Sequence, residues 1–155
     1  MLCLILHNIR SVHNVGSIFR TADAAGVSYI VLSGYTPTPT DRFGLPRKDF
    51  TKVSLGAEKT VPWEKTATFS SAVKILRKKG CTIVAVEQDP RSIPLFSFEV
   101  AKDTPLALVL GNEIRGISKQ SLSLCDAIVE IPMKGAKESL NVSVSAGIAL
   151  YRFCV

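Results

Sequence analysis

A chain of 155 residues with 19 Lys and Arg against 13 Asp and Glu carries a formal net charge of +6 and has the length of one domain. Hydrophobic residues make up 46% of it and its mean hydropathy is positive, a balance that fits a fully covered sheet, a subunit interface, or both. No apolar run reaches the roughly 18 residues of a membrane span, the opening segment lacks the features of a signal peptide, and Cys3, Cys81, Cys125 and Cys154 are too scattered for zinc or a disulfide framework; the expectation is a cytoplasmic protein with free thiols and no metal.

In chain order, the first apolar run is 3–7, which reads as a strand. The polar turn Asn14-Val-Gly-Ser-Ile-Phe-Arg20-Thr-Ala-Asp23 follows it and leads into a helical pattern at 16–25. A second run, 29–32, opens onto a long connection, 33–61. There Arg42, Arg47, Lys48, Lys52 and Lys59 are interleaved with Tyr35, Phe43 and Phe50, and Trp63 lies just beyond. No helix dipole asks for cations in such a loop. Cations that follow phosphates and rings that stack on bases make it a candidate substrate-binding loop for a phosphate-rich partner, with a plain solvated excursion as the alternative.

A helical pattern at 66–79 and runs at 82–86 and 106–110 come next. The last of these enters a second turn, Leu110-Gly-Asn-Glu113-Ile-Arg-Gly116-Ile-Ser118, and a short helical pattern at 118–124. The run 127–131 then enters a third turn, Ile131-Pro-Met-Lys-Gly-Ala-Lys-Glu-Ser139-Leu-Asn141-Val-Ser-Val, and the final helix, 141–154. That helix carries Ser143, Ser145, Ala146, Gly147 and Ala149, small residues that let another backbone approach closely. All five strand runs are continuous, as in strands covered on both faces. Their alternation with helices predicts an α/β fold in one domain: a mostly parallel sheet of five or six strands, right-handed crossovers and helices on both faces.

Each of the three turns follows an apolar run, the place where open α/β sheets keep their chemistry. Some readings fail on inspection. The second turn has the glycine spacing of a phosphate loop but carries Ile117 where the phosphate-reaching lysine belongs, and no G-x-G-x-x-G follows a strand. His7 and His13 read as structural residues. On local grounds Asn14, Ser139 and Asn141 are helix caps, Arg20 is a surface residue pairing with Asp23, Glu113 is a loop carboxylate, and Gly111 and Gly116 serve turns.

Set side by side, the turns resemble the motifs of the SpoU (TrmH) family of SPOUT RNA methyltransferases. The chain has Asn-x-Gly-x-x-x-Arg-Thr-Ala-Asp-Ala-x-Gly, then Gly-x-Glu-x-x-Gly-Ile-Ser, then Ile-Pro-Met-x-Gly-x-x-x-Ser-Leu-Asn-Val-Ser-Val, in the family's order and over essentially its whole length. The resemblance implies S-adenosylmethionine-dependent methylation of a ribose 2′-hydroxyl in tRNA or rRNA by a homodimer. It also implies a single catalytic domain without a separate RNA-binding domain, and a C-terminal trefoil knot that general rules of chain connection would not suggest.

The same resemblance assigns residues. Arg20 would stabilise the developing alkoxide or hold the adjacent phosphate, since an arginine that stays protonated makes a poor base. Asn14 would fix the turn that presents it, and Glu113 would orient Arg20 or face the RNA. Ser139 and Asn141 would complete the catalytic set. The cofactor would be bound by Val86, Gly111, Gly116, Ile131, Met133, Ser139 and Leu140, with Ile131, Met133 and Leu140 against its adenine. RNA would meet Arg20, Arg42, Arg47, Lys48 and Arg115. No metal is implied, because the sulfonium already activates the methyl group and transfer demands mainly alignment. A non-catalytic RNA-binding module that keeps the fold, and methylation of a base, are the alternatives. The intact motif residues argue against the first and the Ser-Leu-Asn-Val-Ser sequence against the second.

Overall fold

The structure is a computed structural model that describes residues 1–154. In its interior lies β1 (Leu2–His7), whose continuous apolar run sits between two parallel neighbours, β2 (Tyr29–Ser33) and β6 (Leu106–Leu110). Beyond β2 lies β3 (Trp63–Thr66); beyond β6 lie β4 (Thr82–Val86), β7 (Ala127–Glu130) and β5 (Ile93–Pro94). The result is a seven-stranded parallel sheet in the order β3-β2-β1-β6-β4-β7-β5.

Two-residue periodicity sends β1 into two separate cores. Leu2, Leu4 and Leu6 face one side, packed with α1 (Val12–Ala24), α2 (Lys48–Ser54), α3 (Ala57–Thr60) and α6 (Val142–Phe153). Cys3 and Ile5 face the other, packed with α4 (Phe69–Lys78) and α5 (Lys119–Leu122). Burial on both faces is why the strand reads as an unbroken apolar run.

The sheet has two strands more than the five runs expected, one beyond the upper expectation of six. Both extra strands are at edges. Half-buried β3 carries Glu64 and Lys65, and β5 is only two residues long, so neither leaves an apolar run to read. Because β3 takes 63–66, the helix expected from 66 begins at Phe69, where Thr68 caps it by accepting from the Ser71 amide. The connection 33–61 is also more ordered than expected: α2 and α3 occupy its second half, joined through Leu55 at φ 53° and Gly56 at φ 92°.

Close helix packing has an identifiable cause in the first motif. A Cβ on Gly16 would lie 3.1 Å from the Phe50 carbonyl oxygen and 3.2 Å from the Val53 Cβ, so glycine there lets α1 lie directly on α2. The small residues of α6 serve its contact with α1 and the core, where Ala146 and Ala149 are fully buried.

Chain direction fixes where a site can form. From β1 the strands run outward to β3, then α4 carries the chain back past β1 to the far half of the sheet. The strand order therefore reverses around the β1–β6 boundary. A crevice beyond the carboxyl ends of the strands at such a reversal is the usual ligand position of open α/β sheets.

Candidate active site

A cavity of about 330 Å³ opens beside this reversal, beyond the carboxyl ends of β6, β4 and β7, within the range of small-molecule sites. All the residues expected to bind a cofactor line it: Val86, Gly111, Gly116, Ile131, Met133, Ser139 and Leu140. The end of β4 supplies the first, the loop after β6 the two glycines, and the segment after β7 the rest. Glu113 and Arg115 line it as well.

The loop 111–117 folds back on itself. The Asn112 Oδ1 accepts from the amides of Ile114 (2.9 Å) and Arg115 (2.7 Å), and the Gly116 amide returns to the Asn112 carbonyl. Buried Asn112 also donates through Nδ2 to the Asn8 carbonyl and the Tyr35 hydroxyl, both at 3.0 Å. The glycines are required by this closure. A Cβ on Gly111 would lie 2.5 Å from Ile117 Cγ1; one on Gly116, at φ 64°, would lie 2.3 Å from Glu87 Oε2.

Glu113 projects from that loop to the start of α1. Its carboxylate accepts from the amides of Arg10 (3.0 Å) and Ser11 (3.1 Å) and from Asn14 Nδ2 (3.2 Å). Partial burial alone would raise its pKa, but these donors together with its own amide outweigh burial and hold the carboxyl below the usual glutamate value. Asn14 passes the chain on, its Oδ1 accepting from Asn141 Nδ2 at 3.2 Å, while Asn141 Oδ1 accepts from the amide and hydroxyl of Ser143. One residue from each motif is thus joined into a continuous polar relay.

The relay revises the local readings. The cap of α1 is Ser11, whose side chain accepts from the Asn14 amide; Asn14 sits inside the first turn, buried, and links the other two motifs. Asn141 does cap α6. Ser139 is an exposed cavity residue two positions before that cap.

Arg20 is elsewhere. It is exposed and borders a separate depression between α1 and α2 with Val12, His13, Asp49, Lys52, Val53 and Leu55. It forms no ion pair among the described residues, and Asp23, its expected partner, accepts instead from the Thr60 hydroxyl. Glu113 does not touch it either, being bonded to the start of α1. The expected RNA contacts Arg42 and Arg47 border a third depression with Phe43 and Lys65. The Arg42 guanidinium lies 4.8 Å from the Phe43 ring centre, Arg47 is paired with Asp49 at 2.9 Å, and Lys48 is exposed at the start of α2.

The sequence reading missed Glu87 and Gln88, which follow β4 and line the cavity with Asn112 and Glu138. The available signal was positional: two polar residues directly after a continuous apolar strand, where the other motifs also stand.

Comparison with known proteins agrees with this geometry. The profile of the SpoU rRNA Methylase family matches residues 1–151. A 23S rRNA (guanosine-2′-O-)-methyltransferase RlmB from Nitrosomonas europaea is 38% identical over 150 residues, covering 97% of this chain and 54% of that protein. Among solved structures, an AdoMet-bound rRNA methyltransferase from Sinorhizobium meliloti superposes with a TM-score of 0.86 at 28% identity, covering 97% of this chain and 54% of the other. A TrmH/SpoU tRNA modifying enzyme from A. aeolicus superposes with a TM-score of 0.81 at 31% identity, covering 97% and 72%. The chain spans 54 to 62% of the length of the curated relatives it matches.

Proposed function

The chain belongs to the SpoU rRNA Methylase family, and from that premise we propose that it is an S-adenosylmethionine-dependent methyltransferase acting on a ribose 2′-hydroxyl of tRNA or rRNA, as a homodimer. The observation that carries this reading is the Glu113–Asn14–Asn141 relay at the edge of one cavity. It joins residues far apart in sequence whose only common feature is membership of the three motifs.

The cavity suits the donor on chemical grounds. Val86, Leu110, Ile131, Met133 and Leu140 offer apolar surface for a neutral heterocycle. Glu87, Glu113 and Glu138 against Arg115 give the lining an excess of negative charge in an otherwise basic protein, which complements a cationic sulfonium. When bound, the donor supplies a methyl group already activated for transfer. The protein's part is alignment and exclusion of water.

Arg20 enters through the assembly. Its place between α1 and α2, outside the cavity, supports a site completed by a second copy, whose Arg20 reaches the cavity mouth. The exposed apolar side chains Ile114 and Leu140 at the rim, and Val144 and Tyr151 on α6, supply surface for that contact. There a fixed guanidinium stabilises the developing 2′-alkoxide or holds the neighbouring phosphate. RNA continues over the basic loop, with Arg42 and Lys48 on phosphates and Phe43, 73% exposed, as a stacking surface. The proposal includes the trefoil knot: the segment after β7 lies against the end of β4 before α6 returns to α1, a path that supports threading.

The test is transfer of labelled methyl from S-adenosylmethionine to RNA, followed by nucleoside digestion and mass spectrometry, using total RNA from cells lacking the gene. Methyl found on ribose, in either the tRNA or the rRNA fraction, supports the reading and identifies the substrate. Absence of incorporation, or methyl found on bases, overturns it.

A further inference from the structure

Two adjacent side chains at the end of β4 reach opposite walls of the cavity. Glu87 is fixed in the sheet through its amide, which donates to the Val129 carbonyl at 2.9 Å. Its Oε2 accepts from the Ile117 amide at 3.0 Å and lies directly under Gly116, where a Cβ would stand only 2.3 Å away. Its Oε1 accepts from the Gln88 amide at 2.8 Å, which orients the carboxylate toward the 111–117 loop. Gln88 points the other way: its Nε2 donates to the Glu138 carbonyl at 2.7 Å.

The second bond matters because of what it holds. Segment 132–140 has no helix or strand, and its residues 134–140 are all exposed. Among the described residues, the Gln88 side chain, through Nε2, makes the one hydrogen bond that reaches this segment from the rest of the protein. The same segment supplies Met133, Ser139 and Leu140 to the cavity. The 111–117 loop is held from outside at three points: Asn112 at its entrance, Glu113 through the start of α1, and Glu87 at its exit, where only the Glu87 carboxylate comes from the strand that also carries Gln88.

We infer that Glu87 and Gln88 are positioning residues for the methyl donor, a two-sided clasp in which Glu87 sets the 111–117 wall and Gln88 sets the 132–140 wall. The inference rests on reading the cavity as the donor site. A pair that directly follows an interior strand, with Glu87 bonded into the sheet, places both walls relative to that strand, so the donor has less to order on binding.

The experiment uses the full chain and the isosteric variants Gln88→Glu, which cannot donate to the carbonyl, and Glu87→Gln, which loses the charge and one acceptor. S-adenosylhomocysteine is the calorimetric probe, and amide exchange is followed at Ile117 and across 133–141. Each variant is expected to weaken probe binding by about tenfold, the effect of losing a charge-assisted or lone anchoring hydrogen bond. The KM for the donor rises while kcat holds; the melting temperature is unchanged in Gln88→Glu and falls by roughly 2–4 °C in Glu87→Gln, which gives up an acceptor for backbone amides. Exchange accelerates in the wall that the variant releases and not in the other. Probe affinity and wall exchange indistinguishable from wild type overturn the clasp, and so does faster exchange spread over the whole sheet. Failure of the wild-type protein to bind the probe overturns the donor-site reading instead; local release of a single wall would then still support the clasp, and unchanged exchange would still refute it.

Discussion

Replacing Glu113 by Gln tests the relay directly. The carboxylate accepts two backbone amides at the start of α1 and the Asn14 side chain, and it places negative charge at a helix N-terminus. Glutamine keeps one acceptor oxygen and presents an NH₂ where a second acceptor is needed. Losing the charge from such bonds costs about 1.5–3 kcal/mol in a dry site; Glu113 is exposed, and solvent screening brings the expectation to about 1 kcal/mol. For a domain of this size that is a fall in melting temperature of roughly 2–4 °C. The sign with pH follows from the lowered pKa of Glu113. Its stabilisation is complete above the unfolded-state glutamate value and is lost as pH falls through the lower folded-state value. Melting curves of wild type and variant should therefore differ at pH 7 and converge as the solution is acidified through and below the ordinary glutamate range. A gap that is absent at pH 7, or that persists unchanged into acid, would refute the account. Adding Asn14→Ala should cost less in the Gln variant than in wild type, because the two residues share a bond.

Other expectations concern separate parts of the molecule. Arg20→Ala should abolish methyl transfer while leaving S-adenosylhomocysteine affinity unchanged, since the side chain lies outside the cavity; a loss of affinity measured by calorimetry would contradict that separation. Gly116→Ala should destabilise by about 1–3 kcal/mol in chemical denaturation and weaken donor binding, because its positive φ and the Glu87 carboxylate leave no room for a methyl group. Arg42→Ala and Lys48→Ala should each lower RNA affinity and reduce the slope of log affinity against log salt by about 0.7–0.9, whereas an unchanged slope would remove the basic loop from the RNA path. Burial, with help from Cys81, pushes the Cys3 thiol up to about 12, and burial with Asp126 pushes Cys125 up to about 11. Native protein at pH 8 should leave both unlabelled by a maleimide that reacts fully after denaturation.

The fold was largely legible because β1, β2, β4, β6 and β7 are all covered on both faces and each therefore writes a continuous apolar run. The edge strands escaped for the opposite reason: β3 is half exposed and tolerates Glu64 and Lys65, and β5 is too short to show any period. The lining of the cavity was legible through motif resemblance, since glycines and a Ser-Leu-Asn sequence stand out without knowledge of contacts. The relay was not. Nothing in the spacing of Glu113, Asn14 and Asn141 says that they hydrogen-bond to one another, because the contact depends on where β1 and β6 deliver their loops. Gln88 was invisible for a similar reason: its importance comes from the lack of other bonds to 132–140, a property of the partner segment and not of glutamine itself. The position of Arg20 shows the converse. A residue that stands in a recognisable motif lies outside the cavity that Gly111, Ile131 and Leu140 line.

The interior position of β1 carries a consequence for how the molecule is made. Residues 2–7 leave the ribosome well before residues 106–110, and one whole edge of that strand stays unpaired in the interval, because β6 is its neighbour there. A nascent chain that already holds β2 and β3 would present an open, apolar hydrogen-bonding edge throughout that interval, a hazard for sticking to other strands. Pausing synthesis between β3 and β6 should thus yield a species that chaperones hold and that rescues itself once the downstream strand slots in.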